Sequence, residues 1–194
     1  MRTVVMIALV VLVACMHRTQ GGVASGGGAP TGAAMMMVGA GAPDASSYGR
    51  EVQQGYTRVR AATEKFRQLD AAVAAGYSGT IPECFVDSLH TPPHGAMGYH
   101  HVNRGYVDAS VDVEKPEILL YERKASGSYA LNGVEYLLPY RFWPRDSVPP
   151  GLLGREMFRD DERSYWYTHM WVWTRNSAGL FADWNPAVRC PDKK

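Results

Sequence analysis

The chain has little cysteine, almost no net charge and no hydrophobic run long enough to cross a bilayer. Its three cysteines in 194 residues form no CxxC pair and no CxxCH, which leaves out thioredoxin-type redox chemistry and covalent haem attachment. Lys and Arg number 20 against 19 Asp and Glu. That balance provides no basic field, so nucleic acid is not an expected partner. The apolar stretch from Val4 to Val13 is too short for a membrane span. HExxH, GxSxG, P-loop and GxGxxG patterns are all missing, so no motif names a reaction.

What is present begins with an address. Arg2 and the apolar run to Val13 have the anatomy of a signal peptide. Leu12-Val13-Ala14-Cys15 resembles a lipobox, the motif at which bacterial lipoprotein signals are cut just before the cysteine. The resemblance implies a signal peptide over 1–14 and lipidation of Cys15. It also implies export to the cell envelope, with a bacterial membrane as partner through the lipid anchor. An ordinary secretory signal, cut near Val23-Ala24-Ser25 and discarding Cys15, is the alternative. From Met16 to about Ser46 the chain is mostly Gly, Ala, Ser, Thr and Pro. It holds too little apolar surface to offset its ordering entropy, so 15–46 is expected to be a lipidated, flexible tether. Met35-Met36-Met37 could be read as soft copper ligands, but three adjacent methionines in such a stretch have no fixed geometry, and the tether reading is preferred.

Residues 47–194 then have the size of a single globular domain. With Cys15 assigned to lipid, Cys84 and Cys190 remain for an oxidising compartment, and a disulfide between them is expected over two free thiols. Val52, Tyr56, Val59, Ala62, Phe66, Leu69 and Val73 recur at steps of three and four, predicting one long helix capped by Ser46 or Ser47 and ended at Gly76. Beyond Cys84 the pattern turns to strands, expected at Met97 to Val102, Glu117 to Arg123, Tyr129 to Leu138 and Tyr165 to Thr174. The proline-rich segment from Tyr140 to Arg163 reads as a long loop with one helical turn around Leu152 to Phe158. The tail packs Phe181 and Trp184 without regular structure. The fold class is α+β: one long N-terminal helix packed on a mostly antiparallel sheet that could curl into a barrel.

The strands carry one constellation with chemistry in it. His100 and His101 are adjacent, so they point to opposite faces, and only one is expected to face inward. Glu122 and Glu135 each stand inside an apolar strand, where an unpaired carboxylate is expensive. His169 lies amid alternating aromatics. Two imidazoles, from His100 and His169, with Glu122 or Glu135 would make a mixed nitrogen and oxygen site for a divalent transition metal: zinc, manganese, iron or copper. The bland alternative makes the histidines ordinary core or surface residues and pairs the glutamates with Arg123, Arg141 or Arg145. His90 and His94, in a loop, are weaker candidates.

In combination, GYHHVN at 98–103, PEILLYE at 116–122, GVEY at 133–136, HMWVW at 169–173, FADWNP at 181–186 and the final Cys190 resemble an uncharacterised family of exported bacterial proteins. The resemblance covers most of the folded region and implies no activity. It points to His100 as the shared position, with an aromatic residue commonly standing at 101, and so favours His100 as the inward histidine. Two classes of function stay open. One is a metal site that holds or activates a small ligand. The other is a metal-free binding or structural envelope protein, whose aromatic cleft (Tyr99, Tyr136 and Trp171, with Trp166 and Trp173) takes a small apolar or ring-shaped molecule.

Overall fold

The computed structural model describes residues 44–191. The expected signal peptide, Cys15 and the tether as far as residue 43 lie outside the described residues. No helix among the described residues is long and apolar enough to cross a membrane.

The helix α1 spans Arg50–Thr63 and runs into a 3-10 turn, Glu64–Arg67. Val52, Val59 and Phe66 are its buried stripe. Neither expected serine caps it. Gly49 stands at the cap position without a side-chain bond, and Ser46 instead donates its backbone N–H and its hydroxyl to Asp44. The helix is also shorter than expected, at 18 residues including the 3-10 turn, and it is not N-terminal in the chain. Gln68 is extended (φ −95°, ψ 115°), and a short helix α2, Leu69–Ala74, starts in a new phase. That shift buries Ala72 and leaves Val73 45% exposed. A broken helix strands a carbonyl. The Phe66 carbonyl accepts a bond from the buried Tyr121 hydroxyl at 2.5 Å.

The strands are β1 (Gly79–Val86), β2 (Ala96–Val102), β3 (Ile118–Arg123), β4 (Tyr129–Pro139), β5 (Gly151–Leu152), β6 (Arg155–Glu156), β7 (Phe158–Asp160) and β8 (Tyr165–Met170). Six of them form one curled antiparallel sheet in the order β1-β2-β3-β4-β8-β7, a half-barrel. The sequence hides β1 because Pro82 interrupts it; at a sheet edge a proline is tolerated. The helical turn expected around Leu152 to Phe158 is instead the β5–β6 hairpin and the edge strand β7. Leu153 and Gly154 both have positive φ (54° and 70°), the pair of angles a two-residue hairpin needs. Leu153 is accommodated against α1 because Gly55 leaves it room: a Cβ there would stand 2.4 Å from the leucine side chain.

Both faces of the sheet are covered. On one, α1 and the 3-10 turn pack Val59 and Phe66 against Leu119, Tyr121, Val134, Tyr136 and Met170. On the other, Val188 and Cys190 of the C-terminal segment pack with Cys84, Ala96, Ile118, Leu120 and Trp171. That segment is irregular, as expected, apart from an antiparallel bridge between Asn185 and Ala96. Its end is tied to β1 by the Cys84–Cys190 disulfide, 106 residues apart in sequence. Closing so long a loop restricts the unfolded chain and is worth about 4–5 kcal/mol in the chain-entropy model. Reduction of the protein, or the Cys84→Ser/Cys190→Ser double variant, is therefore expected to lower the melting temperature by roughly 10 °C. An unchanged melting curve would show that the bond contributes nothing.

Candidate metal centre

The centre is built by register. Glu135 on β4 lies directly opposite His169 on β8, and directly paired residues of antiparallel strands share a face. On its other side Glu135 pairs with Ile118 of β3, while His100 of β2 pairs with Leu120, two positions along the same face of β3. Four neighbouring strands thus bring His100, Glu135 and His169 to one face. Their ligating atoms lie within 4.8 Å of one another.

Distances separate hydrogen bonding from ion sharing. His100 Nε2 stands 3.4 Å from Glu135 Oε2, and His169 Nε2 stands 3.8 Å from the same oxygen. Both exceed a normal N–H···O bond of about 2.7–3.2 Å. Ligands on metal bonds of about 2.0–2.2 Å at a tetrahedral angle are about 3.3–3.6 Å apart; the His100 contact falls in that range and the His169 contact is slightly wider. His169 Nε2 and His100 Nδ1 are buried without a hydrogen-bond partner.

A fourth residue orients His169. His169 Nδ1 faces Asp183 Oδ1 at 3.3 Å. Donation there leaves the Nε2 lone pair directed at Glu135, the arrangement by which a carboxylate fixes the tautomer of a metal-binding histidine. The Tyr167 hydroxyl donates to the other oxygen of Asp183 at 3.1 Å. Trp171 stacks on the His169 ring with the planes 15° apart, and its indole N–H donates to the Ala182 carbonyl at 2.6 Å. Gly133 makes the space, since a Cβ there would approach the Trp171 ring at 3.1 Å and the Met170 carbonyl at 2.9 Å. Phe85 of β1 packs edge-on against His100.

Electrostatics holds His100 neutral and makes His169 the stronger base. Burial, reinforced by the neighbouring His169, pushes the His100 imidazole down to about 3, so it is neutral at physiological pH. Burial raises Glu135 above the usual carboxylate range, opposed by His169. For His169 burial favours the neutral ring, but Glu135 and Asp183 outweigh it and raise its affinity for a proton. A cation among these groups therefore relieves the cost of a buried carboxylate, whether it is a proton or a metal ion. Two imidazoles and a carboxylate are a donor set suited to zinc or iron(II).

The other residues singled out from the sequence fall elsewhere. Glu122 is four residues along β3 from Ile118, the partner of Glu135. At about 3.3 Å per residue it is too distant to share the ion, and it pairs with Lys124. His101 is buried as well as His100, because the sheet is covered on both faces; its ring packs edge-on against Tyr121 and Tyr129. The expected aromatic cleft is not assembled from its three named members. Tyr136 belongs to the main core cluster, whereas Tyr99 and Trp171 belong to a second one. His90 and His94 do meet a carboxylate, that of Asp87. Its oxygens already accept the backbone N–H groups of Leu89 and His94 at 2.9 and 2.7 Å and face His90 Nδ1 at 2.9 Å. The two rings stack with centroids 3.8 Å apart, and unlike His100 and His169 both histidines are exposed to solvent, with the Asp87 carboxylate already satisfied by hydrogen bonds.

Asp183 and Glu117 escaped the sequence reading. Asp183 sits in the irregular tail, where no periodicity marks it, although FADWNP was itself conspicuous. Glu117, just before β3, is 1% exposed and accepts the Leu137 N–H at 3.0 Å. Burial pushes its carboxyl up to about 8, so it is held neutral among the tyrosines of the helix side. Comparison of the chain with protein-family models, with curated proteins and with solved structures finds no match in any of the three.

If Asp183 orients His169, Asp183→Asn is expected to weaken zinc binding by about 10–100-fold while the protein stays folded. Competition with a chromophoric chelator measures this, and an unchanged affinity would show that Asp183 does not support the ligand.

Proposed function

We propose that the domain is the metal-binding head of an exported, lipid-anchored envelope protein, and that it holds one divalent transition metal between His100, Glu135 and His169. The observation that carries this reading is the convergence of three buried donor atoms within 4.8 Å of one another, with Glu135 separated from both imidazoles by more than a normal hydrogen bond. The Asp183 carboxylate behind His169 supports it. Zinc fits best, with three protein ligands and a fourth position for water or a small molecule. All three ligating side chains are 6% exposed or less, so the ion is shielded from bulk water. That favours retention of the metal over rapid turnover of a substrate.

The envelope location rests on the sequence: the lipobox-like Leu12-Val13-Ala14-Cys15, the Gly- and Ala-rich tether behind it, and a disulfide of the kind oxidising compartments allow. The likeness of the chain's motifs to an exported bacterial family accords with this address.

Two measurements test the proposal. Elemental analysis of protein purified from the envelope fraction is expected to give one transition metal per chain, lost in His100→Ala and in His169→Ala. A folded protein that carries no metal and takes up no zinc would overturn the metal reading. Separately, the mature protein is expected to partition into detergent, with Cys15→Ser releasing it or stalling its processing. A mature chain beginning at Ser25 or later would end the lipoprotein reading.

A further inference from the structure

A second feature is independent of the metal centre. Between the 3-10 turn that follows α1 and the start of β4 lies a groove of about 560 Å³, within the size range of small-molecule sites. Lys65, Arg67 and Lys124 line it, with Glu64 the one carboxylate among the lining residues. Arg67 pairs with Glu64 at 3.2 Å with both side chains well exposed, a contact worth little, and Lys124 reaches Glu122. Trp173 and Tyr129 supply flat walls. Trp173 is held in place by its indole N–H donating to Thr63 Oγ1 at 3.0 Å and by the guanidinium groups of Arg60 and of the exposed Arg67, 4.0 and 5.1 Å from its ring centre.

Asn132 lines the same groove and is the reason to regard it as built. The β3–β4 register jumps from Leu120↔Gly133 to Tyr121↔Leu131, so Asn132 is the extra residue of a β-bulge. Bulges recur where a strand must re-aim a side chain. The Asn132 carbonyl accepts the N–H groups of Trp173 and Thr174 at 2.9 and 3.0 Å, and its side-chain oxygen accepts the Thr174 hydroxyl at 2.6 Å. Its Nδ2 is buried and has no acceptor, although the residue is 1% exposed. A buried donor without an acceptor is costly, and here it stands beside an excess of positive charge.

We propose that this groove binds a small organic anion with a flat body, its negative group drawn by Lys65, Lys124 and the Asn132 amide and its body lying along Trp173 and Tyr129. Benzoate serves as the probe, with acetate as the anion lacking a flat body and benzamide as the uncharged analogue. Titrated into the 15N-labelled mature protein, benzoate is expected to shift the Asn132 side-chain amide and the Trp173 indole N–H resonances with a Kd below about 1 mM. Acetate and benzamide are each expected to bind at least about tenfold more weakly. The exposed-cation variant Lys65→Ala/Lys124→Ala, and separately Asn132→Asp, should weaken benzoate by about tenfold or more with the remaining spectrum unchanged. Acetate or benzamide binding as well as benzoate would overturn the proposal. So would resonances unmoved up to about 20 mM, far above the expected Kd. Since the readout is at Asn132 and Trp173, failure here leaves the metal reading intact.

Discussion

Glu135 is a carboxylate placed where water cannot reach it, on a central strand of a sheet covered on both sides. Burying an ionised carboxylate costs several kcal/mol even after the protein relaxes, and much of the surrounding architecture answers that cost. His169 lies opposite it in register, His100 reaches it from β2, and Asp183 holds His169 in the orientation that directs Nε2 toward it. Glu135 forms no hydrogen bond with either imidazole, so its compensation depends on positive charge among the three groups. Remove that charge and the centre of the sheet carries opposed lone pairs.

The C-terminal segment turns this arrangement into an enclosed one. It has no helix or strand of its own beyond the bridge to Ala96, yet it supplies Asp183, the carbonyl that anchors Trp171, and the apolar side chain of Val188. Its covalent tie to β1 ends next to Phe85, whose ring packs on His100. The disulfide therefore ties the end of this covering segment to the edge strand that flanks His100. The cross-link, whose stabilisation comes largely from restricting the unfolded chain, also fixes the cover over the buried ligands.

The two faces divide the work. On the helix side, Tyr77, Tyr121 and Tyr136 bury their rings and give their hydroxyls to backbone carbonyls of Pro116, Phe66 and Val113, so polar tips are satisfied inside an apolar layer. Glu117 shares that environment as a neutral acid. On the opposite face the polar groups are histidines and carboxylates whose lone pairs converge. The same strands thus carry a packing face and a chemical face, and alternation along each strand decides which residue serves which.

Much of this was legible in the chain. Apolar periodicity identified α1 and four strands of the main sheet, the cysteine count paired Cys84 with Cys190, and histidines and glutamates within apolar strands marked His100, His169, Glu122 and Glu135 as candidates. Local signals failed where long-range contacts intervened: the helix broke at Gln68, Pro82 concealed an edge strand, and Leu153 took a positive φ to pack against Gly55. Glu122 and Glu135 were indistinguishable in sequence because both sit in apolar strands; register separated them. Asp183 was invisible because a tail residue acquires its role only from what the tail lies upon. The sequence by itself determined which residues could ligate and which strands would carry them, since side-chain chemistry and alternation are local properties. Which of those residues meet was decided by the tertiary structure alone, because strand order and register are set by packing between segments far apart in the chain.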